Sequence, residues 1–249
     1  MADYSFGGIG MKEVIAFQTQ IMMGSQFGRV VNEAATPSDL IIACLRLGWN
    51  DAFRHTSENA KENGKSVLET CEVEWRKKKN LHKEPYDDFI CGNILNQTVL
   101  LDAFLAFACA ATPADKVRVI ESSYTHLENL FSPYKATGGD HGLCFGHFQK
   151  MFNIALKLYI CLYFCRDYLD INEALFDENI LNNMQNADCP IDSIILGKLD
   201  DQKYRSHKWS KYGTQKHPTD GYTDAQKAIS ALTDADKSNL YYDFVAWKR

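Results

Sequence analysis

Between residues 138 and 153 the chain reads Gly-Gly-Asp-His-Gly-Leu-Cys-Phe-Gly-His-Phe-Gln-Lys-Met-Phe-Asn, a glycine-rich turn running straight into a helical pattern. Glycines let a backbone approach a ligand closely, and a helix N-terminus offers N–H groups to an anion such as a phosphate. Gly146 and the helix start after it are therefore candidate phosphate contacts. Gln149 and Asn153 stand one turn apart, as do Asn153 and Lys157, so that amides and ammonium groups line one edge next to Lys150. The plainest expectation is that these polar residues mark the helix's solvent-facing boundary. The pattern is neither a P-loop nor a dinucleotide fingerprint: the glycine and Lys-Ser/Thr spacings are missing, and no strand precedes the turn.

A second candidate follows at Cys189-Pro190-Ile191-Asp192, where Pro190 and Asp192 open a helix with Ile191, Ile194, Ile195 and Leu199 as its apolar residues. An acid at that place also complements the helix dipole. A glycine-led turn, a helix with a lysine, and a later Pro-Ile-Asp at a helix start together resemble the helix-hairpin-helix superfamily of base-excision DNA glycosylases, over about residues 138–199. The resemblance implies an all-α fold, Lys150 as an amine nucleophile, Asp192 as the supporting carboxylate, and DNA as the substrate. Two departures accompany it. With Gly146 as the hairpin's second glycine, the family's lysine position falls on Phe148 and the preceding glycine is Cys144. The stretch 145–153, the Pro-Ile-Asp and Trp209-Ser210-Lys211 are also similar to uncharacterised bacterial proteins, a likeness that carries no activity.

Residues 203–217 hold Lys203, Arg205, Lys208, Lys211 and Lys216 interleaved with Tyr204, His207, Trp209, Tyr212 and His217, without one acid. In a chain of net charge −5 this local reversal suits phosphate binding with base stacking, and equally a solvated loop whose aromatics tuck against the core. Arg205, Lys208, Trp209 and Lys211 join Gly146 and Gln149 as candidate nucleic-acid contacts. Lys150, Asn153 and Asp192 are the candidates for chemistry. His141, Cys144 and His147 lack convincing zinc spacing, as do Cys161 and Cys165, so no metal and no cofactor is expected. Cys189 beside a helix start is a conceivable thiol nucleophile.

These residues sit on a chain of 249 residues with 45% hydrophobic content, enough for a substantial core. The eight cysteines lie in apolar stretches, which reads as buried thiols in a reducing cytoplasm. The greasy runs at 99–111 and 151–165 are shorter than the roughly 20 residues of a membrane span, so no membrane association is expected. A pI near 5.8 excludes coating of nucleic acid by the overall field.

Helix starts are marked by Thr36-Pro37-Ser38-Asp39 and Thr112-Pro113-Ala114-Asp115, each with a threonine cap, a first-position proline and a first-turn acid. Thr223-Asp224-Ala225-Gln226 reads as a capping box and Thr233-Asp234-Ala235-Asp236 as a further cap. Asp170 to Glu173 is another start. Apolar periodicity predicts helices over about 11–33 and 36–54, and a short one through Val67, Leu68, Cys71 and Trp75. The 87–111 segment, apolar nearly all round, is expected at the centre. Phe145, Phe148, Phe152, Ala155, Leu156, Tyr159 and Tyr163 form the buried stripe of the 145 helix. Hairpin patterning is absent. The expectation is an all-α fold of about eight to ten helices, one domain over 1–249 with a long basic loop at 200–222. Three functions stay open: a nucleic-acid-binding protein of glycosylase or lyase type with DNA or RNA as partner, a non-enzymatic helical interaction protein, and a helical defence or toxin nuclease. Oligomeric state is left open.

Overall fold

In the computed structural model, which describes residues 7–9, 14, 34–53, 61–62, 65–66, 98–131, 144–199, 202–205, 209, 212–213 and 219–246, both Thr-Pro starts open helices. Helix α1 spans Pro37–Phe53. The Asp39 N–H donates to Thr36 Oγ1 at 3.2 Å while the Thr36 N–H donates to Asp39 Oδ2 at 2.9 Å, a reciprocal box that satisfies two donors at once. Helix α2 is Thr98–Ala108, and α3, Pro113–Phe131, repeats the device with the Asp115 N–H on Thr112 Oγ1 at 3.2 Å. Helix α4 is Phe145–Leu169 and ends at Asp170 in the left-handed region, φ 53°. Short helices α5 (Glu178–Asn182), α6 (Ser193–Lys198) and α7 (Gln202–Arg205) follow, then α8 (Asp220–Leu232) and α9 (Asn239–Ala246). Apart from a two-residue antiparallel pair, Lys61–Glu62 against Lys65–Ser66, the regular elements of the described residues are helices, and the fold is all-α. None of these helices is long and apolar enough to cross a membrane.

The centre is α4. Its aromatic stripe is buried from Phe145 through Tyr159, and Ile160, Cys161 and Leu162 are buried as well, so the helix is enclosed on all sides over most of its length. The 87–111 segment was the expected centre, and its described part is peripheral. Helix α2 buries Leu100, Phe104 and Phe107 but leaves Val99 47% exposed, with Asp102 and Ala106 exposed too. Apolar composition does not decide centrality here. A helix with polar groups becomes central when the chain brings partners to those groups, and α4 has them.

Gly48 sets how α1 meets α4. A Cβ at that position would collide with the Met151 carbonyl oxygen, so its absence lets the two backbones touch. Trp49, Cys44, Leu45 and Ala52 of α1 are buried against this contact.

Two of the expected caps do other work. Helix α8 begins at Asp220 after Thr219, so Thr223 lies inside it. Thr233 ends the same helix, with its hydroxyl donating to Ile229 O at 2.8 Å, and α9 starts only at Asn239. The Asp170–Glu173 start yields a single 3₁₀ turn, Glu173–Leu175, capped by Asn172 Oδ1 on the Ala174 N–H. Of the expected 11–33 helix only Val14 is described, and the short helix around Trp75 lies outside the described residues.

Candidate functional site

The polar edge of α4 does not face solvent. Gln149 and Asn153 are 0% exposed and Lys157 1%. Each is held by a group far away in sequence, which is why helical spacing alone misplaces it.

Gln149 forms a two-way clamp on Ile191. Its Nε2 donates to Ile191 O at 2.7 Å, and the Ile191 N–H donates to its Oε1 at 3.1 Å. Gln226 of α8 does the same for Cys189: the Cys189 N–H reaches its Oε1 at 3.1 Å and its Nε2 reaches Cys189 O at 2.6 Å. The 189–191 stretch belongs to no helix and is buried, so its peptide groups need partners. Two side-chain amides supply them as neighbouring strands would in a sheet. Pro190 lies between the clamped residues, where it requires no donor partner.

This support delivers Asp192 to the start of α6. As N-cap, Asp192 takes the N–H groups of Ile194 and Ile195 on Oδ1 at 2.9 and 3.0 Å, which leaves Oδ2 facing α4. Lys150 Nζ lies 3.7 Å from that oxygen and 2.8 Å from Asp51 Oδ2 of α1. The ring of Trp209 covers the ammonium at 5.0 Å from its centroid. The edge of His147 meets the same indole, with centroids 5.8 Å apart at 70°, and its Nδ1 is 3.1 Å from the Cys144 sulfur. Burial, with the Lys150 charge adding to it, lowers His147 from its ordinary 6.5 to about 4, so the imidazole beside the ammonium is neutral at neutral pH.

Asn153 turns the other way. Its Nδ2 donates to Gln149 O at 2.9 Å and to the Tyr222 hydroxyl at 3.2 Å. Tyr222 in turn donates to Asp188 Oδ2 at 2.7 Å, and the other oxygen of Asp188 pairs with Lys116 at 3.0 Å. Burial, reinforced by Asp188, raises the Tyr222 hydroxyl well above its usual range, which keeps it a donor. Lys157 pairs with Asp243 of α9 at 2.5 Å, both 2% exposed or less at the side chain. Lysine–aspartate pairs thus tie α4 to α9, to α1 and to the α6 start, and α3 to the stretch preceding α6.

Of the sequence candidates, Lys150 and Asp192 come together, and Gln149 holds the segment that brings them together. Asn153 belongs to the neighbouring tyrosine–aspartate chain. The Gly146 N–H, a candidate phosphate donor, gives its hydrogen bond to Tyr212 O at 3.2 Å. Of the basic loop, Tyr204 and Tyr212 are buried, with the Tyr204 hydroxyl on Asp224 O at 3.1 Å. Trp209 is half-buried and packs over Lys150. Arg205 lies in α7, while Lys208 and Lys211 lie outside the described residues. Cys189 is fully buried and desolvation pushes its thiol well above the usual range, so it is no thiolate nucleophile. No group of three metal-ligating side chains occurs among the described residues.

Asp51 is the residue that the motifs did not point to. Its one sequence signal is its place a turn beyond Gly48, and that acquires meaning only once α1 is known to touch α4 there. Gln226, Asp188 and Asp243 were likewise invisible, since what they bind is far away along the chain.

The class defined by this geometry is an all-α fold carrying a buried lysine between two carboxylates. No protein-family model matches the chain, and no curated protein or solved structure matches it significantly.

Proposed function

We propose that the chain is a helical nucleic-acid-binding protein with a site of glycosylase or lyase type, in which Lys150 supplies the amine and Asp192 the fixed carboxylate. The observation that carries the reading is the 3.7 Å approach of Lys150 Nζ to Asp192 Oδ2 from the starts of two different helices. A lysine and a helix-capping aspartate in contact, with an indole face over the amine, suit attack on a sugar C1′ next to a stacked base. The neutral imidazole of His147 adds no charge to that site, and the tight backing by Gln149 holds Asp192 still. Arg205, Lys208 and Lys211 follow Asp192 in the chain and are the cations proposed to meet a phosphate backbone.

Borohydride trapping on a duplex with an abasic site tests this. A covalent adduct lost in Lys150→Ala is the expected result. No adduct, together with no salt-dependent binding to DNA or RNA, overturns it.

The same ion pairs favour a second reading, in which Asp51, Lys150 and Asp192 only lock α1 and α6 onto α4 and the chain is a non-enzymatic interaction protein. Under that reading Lys150→Met costs stability and nothing is trapped.

A further inference from the structure

We propose that the cavity beside the second half of α4 is a binding site for a primary alkylammonium group, taken between an aromatic wall and an acidic rim.

The cavity has a volume of about 430 Å³, inside the roughly 300–1,000 Å³ usual for small-ligand sites. Its walls include Tyr163 of α4, Glu173 of the 3₁₀ turn, Phe176, and Glu178 and Leu181 of α5. Tyr163 stands thirteen residues beyond Lys150, about 20 Å along the helix axis at about 1.5 Å per residue, so this place is independent of the lysine site. Tyr163 and Phe176 meet edge to face with centroids 5.3 Å apart at 80°, and Tyr159 braces Phe176 at 5.2 Å. Phe176 and Leu181 are buried and Tyr163 is half-buried, which gives the cavity an apolar wall built on the core.

The rim carries the charge. From residue 166 to 178 the chain has Asp167, Asp170, Glu173, Asp177 and Glu178 against Arg166 alone among basic residues. Asp177 is committed as the α5 N-cap, with the Asn179 N–H on Oδ1 at 2.8 Å. Glu173 and Glu178 are exposed and line the cavity, and Glu178 has no ion-pair partner among the described residues.

Arg166 already shows what such a wall binds. Its guanidinium lies over Tyr163, 4.3 Å from the ring centroid, and Nη2 comes within 3.7 Å of Glu173 Oε1. Ring face and glutamate together hold a cation there, as cation–π attraction predicts. That guanidinium donates to Tyr163 O at 2.8 Å and belongs to the chain's own fold. The cavity next to it offers the same two group types to a cation from outside, with Glu178 as an additional carboxylate.

The ligand class follows from these groups. No three acids, histidines or cysteines among the described residues are gathered closely enough to hold a metal ion, so the charge suits an organic cation. An anion would meet a rim of its own sign. The buried Phe176 and Leu181 suit a methylene stem whose ammonium head reaches the carboxylates. A lysine side chain presented by another protein and a free diamine share this chemistry.

Isothermal titration calorimetry on the full chain tests the site at low ionic strength, where exposed charges are least screened. The probes are Nα-acetyl-lysine methylamide, cadaverine, and pentanol as an uncharged stem. Both ammonium probes are expected to bind, and pentanol is not. Replacing both glutamates, Glu173→Gln with Glu178→Gln, should weaken binding about tenfold. Tyr163→Leu should weaken it about threefold, while Tyr163→Phe keeps the ring and most of the affinity. Circular dichroism checks folding, and the exposed glutamates give a readout even where loss of the Tyr163 ring disturbs the core. Tighter binding of the lysine amide assigns the cavity to a partner protein's side chain, and tighter binding of cadaverine assigns it to a free diamine; either order supports the site. No saturable binding of either ammonium probe, equal binding of pentanol, or unchanged affinity in the double glutamine variant overturns the proposal. Unchanged affinity in folded Tyr163→Leu overturns it too, because the rim then attracts cations as surface charge only.

Discussion

Replacing Gln149 with methionine isolates what the amide clamp contributes. Methionine is unbranched and close in size, so the change opens little cavity and removes mainly the hydrogen bonds. Two buried backbone groups, the N–H and C=O of Ile191, then lose partners now at 3.1 and 2.7 Å. Each stranded group costs about 1–3 kcal/mol, so the pair costs about 2–6 kcal/mol. Against a total stability of about 5–15 kcal/mol for a typical domain, that is a large share. Urea unfolding followed by circular dichroism reads it directly: with a slope of about 2 kcal/mol per molar, the midpoint should fall by about 1–3 M with the slope unchanged. Gln149→Glu keeps an acceptor for the Ile191 N–H but sets an oxygen against Ile191 O, and should be worse than methionine. A loss below about 0.5 kcal/mol in the methionine variant would refute the claim that the clamp holds the 189–191 stretch, because so small a change is that of an ordinary surface site.

Two further outcomes follow from the buried charges. Asp243→Asn leaves the Lys157 ammonium without its 2.5 Å carboxylate and should cost about 3–5 kcal/mol, most of it recovered in the double variant Lys157→Met with Asp243→Leu; equal losses in single and double variants would sink the pairing. His147 should make stability fall with acid. Its folded value of about 4 lies below the ordinary 6.5, so the unfolded chain binds the extra proton first. Its contribution is complete above 6.5 and is lost as pH falls from there to about 4, by roughly 1.4 kcal/mol per pH unit and about 3 kcal/mol in all. The stability difference between the unmodified chain and His147→Asn, measured by urea melts across that window, should shrink accordingly, and parallel curves would contradict the burial of a neutral imidazole.

Much of the helical scaffold was legible residue by residue because it is local. Thr36 with Asp39 and Thr112 with Asp115 bond within one turn, so the sequence carries both partners of each cap. The same holds for Asp192, whose N-cap bonds reach only Ile194 and Ile195, and for the aromatic stripe of α4. Thr223 and Thr233 carry an equally good local signal and are not N-caps. There the chain had already turned helical at Asp220, and Thr233 closes that helix. A capping motif states a preference that the rest of the fold can outvote.

The all-α character, the two Thr-Pro helix starts and the Pro-Ile-Asp helix start were therefore determined by sequence alone, since each depends on groups a few residues apart. The enclosure of α4, the clamps on 189–191 and the meeting of Asp51, Lys150 and Asp192 were decided only by tertiary structure. Gln149 finds Ile191 at a separation of 42 residues and Lys157 finds Asp243 at 86, and no periodicity in α4 encodes either partner. A polar residue on a helix reads as solvent-facing until something distant satisfies it, because burying it without a partner costs more than packing returns. In this fold the partners arrive, and the edge that sequence would place in water becomes the interior seam around which the candidate site is built.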